Sequence, residues 1–197
     1  MHEPRGEGEY LETTKGQTMT NFTVPGLTAE QGSEVAQTLQ NRLSAYNDLH
    51  LTLKHIHWNV VGPNFIGVHE MIDPQVELVR GYADAAAERI AALGASPKGT
   101  PGAIEKDRSW DDYSVGRDSA QAHLAALDLV YTGLIEDNRK AIGKVGEIDP
   151  ITEDMLIGQT AELEKFQWFV RAHLENSGGQ LANEGEPTEK KAAAAAR

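Results

Sequence analysis

The chain carries seven histidines and no cysteine, so any metal site it builds must use imidazole and carboxylate, ligands that suit hard and borderline cations. Two pairs stand out by spacing. His69 and Asp73 lie four residues apart, and so do Asp84 and Glu88, which on a helix puts each pair on one side, about one turn apart. From Asp73 to Asp84 is a step of eleven residues, about three turns, so all four fall within about 100° of one face. The same step is roughly 16 Å along a helix axis, too far for one copy to bring both pairs to one ion. If the four act together, a second copy is required. From spacing alone they read equally well as charged neighbours on a solvated face.

His57 follows Leu53 by four residues and falls on or beside the apolar stripe of its helix, where a lone histidine is more often a packed core residue than a ligand. His55 cannot share an ion with it, because residues two apart on a helix diverge by about 200°. His50, His123 and His173 have nothing converging on them and read as structural. None of the histidines is preceded at the third position by glutamate, so the Glu-x-x-His motif of di-iron bundles is missing and a site inside one bundle is not expected. Nor does His69-Glu70 open a zinc-protease motif, since position 73 is aspartate.

The elements that would position these residues follow from apolar spacing. Val35, Leu39, Leu43, Tyr46, Leu49, Leu53, Ile56 and Val60 recur at helical intervals, after Pro25-Gly26 and before Gly62-Pro63. A second run passes through Val68, Ile72, Val79, Ala83, Ala86, Ile90 and Leu93 and stops at Gly94. The third contains Leu124, Leu127, Tyr131, Leu134, Ala141 and Val145, and the fourth Leu156, Thr160, Leu163, Phe169 and Leu174. The connection from Gly94 to about Arg117 is long for a bundle, which predicts a ferritin-like crossover between helices two and three, with a short helix of its own near 101–112. Asp149-Pro150 opens the fourth helix as N-cap and first-turn proline. The expected organisation is all-α: a tail over 1–26, a four-helix bundle over 27–178 and a tail over 179–197, neither tail burying much surface. Met19 is a candidate true start.

A formal charge of −12 over 197 residues argues against a whole-surface nucleic-acid binder and suits cations better, although acidity alone also serves solubility. With no apolar leader and no membrane-length apolar run, a cytoplasmic location is expected.

The stretch His57-Trp58-Asn59-Val60-Val61-Gly62-Pro63-Asn64-Phe65, followed by Val68-His69-Glu70-Met71-Ile72-Asp73 and by Asp84-Ala85-Ala86-Ala87-Glu88-Arg89, resembles the Dps family, the DNA-binding proteins from starved cells. The resemblance runs from about Phe22 to Gly179. It implies a hollow shell of twelve subunits in which His57, His69, Asp73, Asp84 and Glu88 hold iron at two-fold interfaces. Fe(II) would be oxidised there, preferably by hydrogen peroxide rather than dioxygen, and stored as ferric mineral, which protects DNA. Trp58 matches the aromatic beside the family's site. Asp149, Glu153 and Asp154 are candidates for an iron pore, against the plain expectation of acids at a helix N-terminus. Lys190, Lys191 and Arg197 are the candidate DNA-binding charges of the C-terminal tail, and the alternative function is a nucleoid-associated DNA-binding protein with a secondary metal site.

Two further expectations follow. Pro74 falls inside the second helix, where proline removes a backbone donor and disfavours helical conformation in the residue before it; a kink is expected rather than a new helix capped by Asp73. Positions 69 and 88 sum to 157, as do 73 and 84, so an antiparallel copy crossing at a dyad between Leu78 and Val79 sets His69 and Asp73 opposite the other copy's Glu88 and Asp84, with His57 joining from the side of His69.

Overall fold

The structure, a computed structural model, describes residues 11–12, 18–20, 22–108 and 110–197. Met19 lies in a two-stranded antiparallel ribbon, β1 (Leu11–Glu12) with β2 (Thr18–Met19). Four long helices follow: α1 (Ala29–Asn59), α2 (Phe65–Ala92), α4 (Ala120–Gly146) and α5 (Pro150–Leu174), with a short α3 (Pro101–Asp107) inside the crossover. This is the ferritin-like arrangement that the long second connection predicts.

Three of the long helices begin where a side chain supplies the first acceptor. Thr28 caps α1 in a reciprocal box with Gln31, Ser119 caps α4, and Asp149 caps α5 ahead of Pro150. α1 ends as the chain turns into β3 (Val60–Val61), which pairs in parallel with β4 (Asp118–Ser119) at the end of the crossover. The corner into α2 uses Gly62 and Asn64 at positive φ. α2 ends at Gly94, φ +87°, where an added Cβ would come within 2.1 Å of the Phe22 carbonyl oxygen; the Gly94 carbonyl accepts from the Thr20 N–H at 2.8 Å. α2 runs unbroken through Pro74, so Asp73 is an interior helical residue and not a cap. Pro74 is exposed, on the solvent side of α2, where the hydrogen bond that a proline omits costs less than in a buried turn.

α1 pairs with α2 and α4 with α5, and the apolar stripes meet in one core that contains Leu39, Leu53, Ile72, Leu127, Leu156 and Leu163. One buried polar network within it gathers neutral amides and hydroxyls around one cation. Arg42 donates to Asn138 at 3.1 Å, Asn138 to Tyr46 at 3.0 Å and Thr160 at 3.1 Å, and Tyr46 to Gln159 at 3.0 Å. Tyr131 donates to Gln75. Burial holds Tyr46 and Tyr131 far above the usual phenol range.

The C-terminal segment departs from the expectation of a flexible tail. Asn183 is buried and donates to the Ala125 carbonyl at 3.2 Å and to Asp128 at 3.0 Å, and Asp128 also takes bonds from Gln167 and Arg171. Beyond it α6 (Glu189–Ala195), capped by Thr188, buries Ala192 and Ala193 against α4. Glu189 accepts from the Ser114 N–H at 2.7 Å and hydroxyl at 2.9 Å, and Arg197 pairs with Asp118. An alanine tract that composition reads as unstructured has methyls small enough for close helix contact, with polar anchors at both ends. Removing the Asn183 amide leaves buried acceptors on α4 short of a donor, a loss of about 1–3 kcal/mol. Amide hydrogen exchange should therefore show protection at 192–196 in the parent protein and its selective loss in Asn183→Ala, with the α1–α2 core unchanged; unprotected amides there in the parent would contradict the docked helix.

Candidate metal centre

The tight corner between α1 and α2 brings His57 and His69, twelve residues apart, into face-to-face stacking with ring centroids 3.5 Å apart and an interplanar angle of 24°. The rings lock each other through the backbone. His57 Nδ1 lies 2.9 Å from the His69 carbonyl oxygen and His69 Nδ1 lies 2.9 Å from the His57 carbonyl oxygen. A carbonyl can only accept, so each Nδ1 carries the proton and each Nε2 keeps its lone pair in the neutral ring. Backbone-held imidazole with a free Nε2 is the tautomer that ligates metals. Phe65 packs edge-on against His69, 6.3 Å between centroids.

Asp73, one turn after His69, joins the corner: its Oδ1 lies 3.1 Å from His57 Nδ1 and 3.0 Å from Lys54 Nζ. The hydrogen bond from Lys54, reinforced by the Lys54 charge, holds the Asp73 carboxyl below the usual carboxylate range. Lys54 also stands 5.7 Å above the Trp58 ring. Trp58 is 70% exposed whereas His57 is 8% exposed, so the indole flanks the corner from outside. Lys54 is the neighbour that motif spacing missed; its place three residues before His57 is the signal that could have found it.

Asp84 and Glu88 are exposed on the same side of α2, eleven and fifteen residues beyond Asp73. One chain thus brings His57, His69 and Asp73 together and leaves the second carboxylate pair apart. Among the described residues no group of three or more His, Asp or Glu converges as a metal cage within one chain.

The other histidines serve the scaffold or stand apart. His55 Nε2 lies 2.9 Å from the Val115 carbonyl of the crossover, and His123 is fully buried with its Nδ1 3.0 Å from the Tyr113 hydroxyl. Burial lowers the affinity of His50 and His123 for a proton. His173 Nδ1 lies 2.7 Å from the Phe169 carbonyl.

Of the pore candidates, Asp149 is tied down within the subunit. It is 3% exposed, caps the Ile151 N–H at 3.2 Å, accepts from Thr152 and binds Arg89 at 2.6 Å. Burial alone would raise its pKa, but the bonds from Thr152 and Arg89 outweigh it and lower it. Its carboxylate ties α5 to the end of α2. Glu153 is half-buried beside Gly146, and Asp154 is exposed. In the C-terminal segment Lys190 and Lys191 are exposed, while the Arg197 charge is met by Asp118.

Comparison with known proteins agrees with this architecture. Residues 36–177 match the family model of the ferritin-like domain. The chain is 72% identical over 179 residues to the DNA protection during starvation protein of Mycolicibacterium smegmatis, covering 91% of this chain and 98% of that one. It is 48% identical to the fine tangled pili major subunit of Haemophilus ducreyi, covering 86% and 93%. Among solved structures, Mycobacterium smegmatis Dps superposes with a TM-score of 0.85 at 73% identity, covering 87% of this chain and 98% of that one. DpsA14 from Streptomyces coelicolor gives 0.81 at 63%, covering 82% and 96%. The chain belongs to the ferritin-like family and, within it, to the Dps proteins.

Proposed function

We propose that the protein is a ferroxidase and iron-storage subunit of a hollow dodecameric cage, in which Fe(II) is the substrate and ferric mineral the stored product. The observation that carries this reading is the reciprocal histidine lock, which leaves both Nε2 lone pairs free at the subunit corner where the Asp73 carboxylate meets the His57 ring. Imidazole with carboxylate accommodates both oxidation states of iron. Asp84 and Glu88, on the same face of α2, complete the site when they come from an antiparallel second copy. Hydrogen peroxide accepts two electrons, one from each of two Fe(II) ions, and is reduced to two hydroxides. Removing Fe(II) and peroxide together denies both to hydroxyl-radical chemistry, and this protects DNA without contact. No described helix is long and apolar enough to cross a membrane, and action in the cytoplasm belongs to the same proposal.

Direct DNA association is a second reading, favoured by Lys190 and Lys191, which α6 displays to solvent. Two charges per subunit bind weakly singly and add up over twelve copies.

Three outcomes test these readings. His69→Ala and Asp84→Ala subunits, each inactive in Fe(II) oxidation, should regain about one intact site per interface when mixed and reassembled; an inactive mixture with confirmed subunit exchange refutes the shared site. Asp154→Asn should slow iron uptake into the cavity and leave the initial oxidation rate unchanged; an unaltered uptake rate removes Asp154 from the entry path. Plasmid retention in low-salt gels should fall in Lys190→Ala/Lys191→Ala and fall steeply with added salt in the parent; retention independent of both assigns any DNA contact elsewhere.

A further inference from the structure

The exposed side of α2 carries a charge pattern that extends beyond the candidate iron ligands. From one end to the other it reads His69, Asp73, Glu77, Arg80, Asp84, Glu88, at intervals of four, four, three, four and four. The order of intervals is the same from either end. Glu77 and Arg80 stand at its centre with side chains 71% and 60% exposed, joined to each other across one turn at 3.2 Å. Their positions also sum to 157, as those of the two ligand pairs do. Hence the antiparallel crossing that sets His69 opposite Glu88 and Asp73 opposite Asp84 sets Glu77 opposite Arg80, twice, one on each side of the dyad.

The three opposed pairs differ in sign, and the difference decides their roles. Asp73 opposite Asp84 is like charge against like, unfavourable until a cation lies between. Glu77 opposite Arg80 is attractive with no cation present. Arg80 uses one of its five N–H donors on its own Glu77, which leaves others to reach across. The shallow groove beside these residues is lined by Leu51, Trp58 and Pro74, and Leu51 and Trp58 are 54% and 70% exposed, apolar surface that a second copy would cover.

We infer that Glu77 and Arg80 form two reciprocal ion pairs across the two-fold interface, the partner being a second copy of this chain, and that these pairs set the α2–α2 register before iron is bound. This rests on the shared-site reading above. The register is a matter of specificity: sliding one helix by four residues one way sets Glu77 against Asp84 and Asp73 against Glu88, acid on acid, and the same slide the other way gives Arg80 to Asp73, leaves Glu77 opposite Val76 and ties up an iron ligand. Iron then finds its carboxylates already opposed.

Because each pair is reciprocal, charge reversal has a distinctive signature. Alone, E77R sets arginine against arginine on both sides of the dyad, and R80E sets glutamate against glutamate. A mixture of the two restores opposite charges at both places, as does the double variant E77R/R80E. In metal-free, low-salt buffer, sedimentation over a dilution series should show association across this interface weakened at least tenfold in each single variant, with helical circular dichroism unchanged, and recovered in the mixture and the double variant. Unweakened single variants, or a mixture that does not recover, overturn the inference. A second measurement reads the register directly. The parent has no cysteine, so E77C and R80C subunits, mixed and oxidised, should give a disulfide-linked heterodimer in greater yield than either alone; no such excess overturns the register. The two readings fail separately. A heterodimer crosslink with an inactive His69→Ala and Asp84→Ala mixture supports the register and sinks the shared iron site, and an active mixture without the crosslink does the reverse.

Discussion

Two backbone carbonyls, those of His57 and His69, each accept the Nδ1–H of the other histidine, and the metal chemistry available to the chain depends on this exchange. It fixes both tautomers, stacks the rings and leaves the Nε2 atoms of two unrelated helix positions free. The exchange is possible because α1 stops at Val60, the corner turns through Gly62 and Asn64 at positive φ, and α2 restarts at Phe65 with its first turn alongside the last turn of α1. β3 pairs with β4 at the same place, so the crossover that defines the topology also braces the corner.

The second constraint is the rise of a helix. Asp73 and Asp84 share a face and are roughly 16 Å apart along it, so one chain offers half a site at each end of α2. The network between the helix pairs is of another kind: Tyr46, Gln75, Tyr131, Asn138, Gln159 and Thr160 are neutral and gather around Arg42, and the buried carboxylates of Asp128 and Asp149 are each held by an arginine. Under the shared-site proposal function and quaternary structure are one question for this chain, and the face proposed to carry the half sites also carries Glu77 and Arg80.

Much of this was legible in the sequence because it is written locally. Helices announced by apolar spacing and stopped by Gly62-Pro63 and Gly94 are where spacing puts them, and the long crossover carries its short helix. The structure resolves the ambiguity at Pro74 toward one continuous helix. What was not legible depends on contacts between distant positions. Asp149 at a helix start looks the same whether it caps or lines a pore, and only Arg89, sixty residues away, shows that it is committed. Likewise the Lys190-Lys191 tract reads as a tail until Asn183, Ser114 and Asp118 anchor it. Lys54 holds Asp73 from nineteen residues away, across the same corner that joins the histidines.

The central claim is that iron is held between subunits at the α1–α2 corner. Anomalous X-ray scattering at the iron edge, from crystals of the assembled protein loaded with Fe(II) without oxidant, locates the ion directly. One peak is expected at each end of the α2–α2 contact, within coordination distance of Nε2 of His57 and of His69 in one subunit and of the Asp84 and Glu88 carboxylates of the other. A peak enclosed by the residues of a single bundle, or none at this corner at saturating Fe(II), would contradict it.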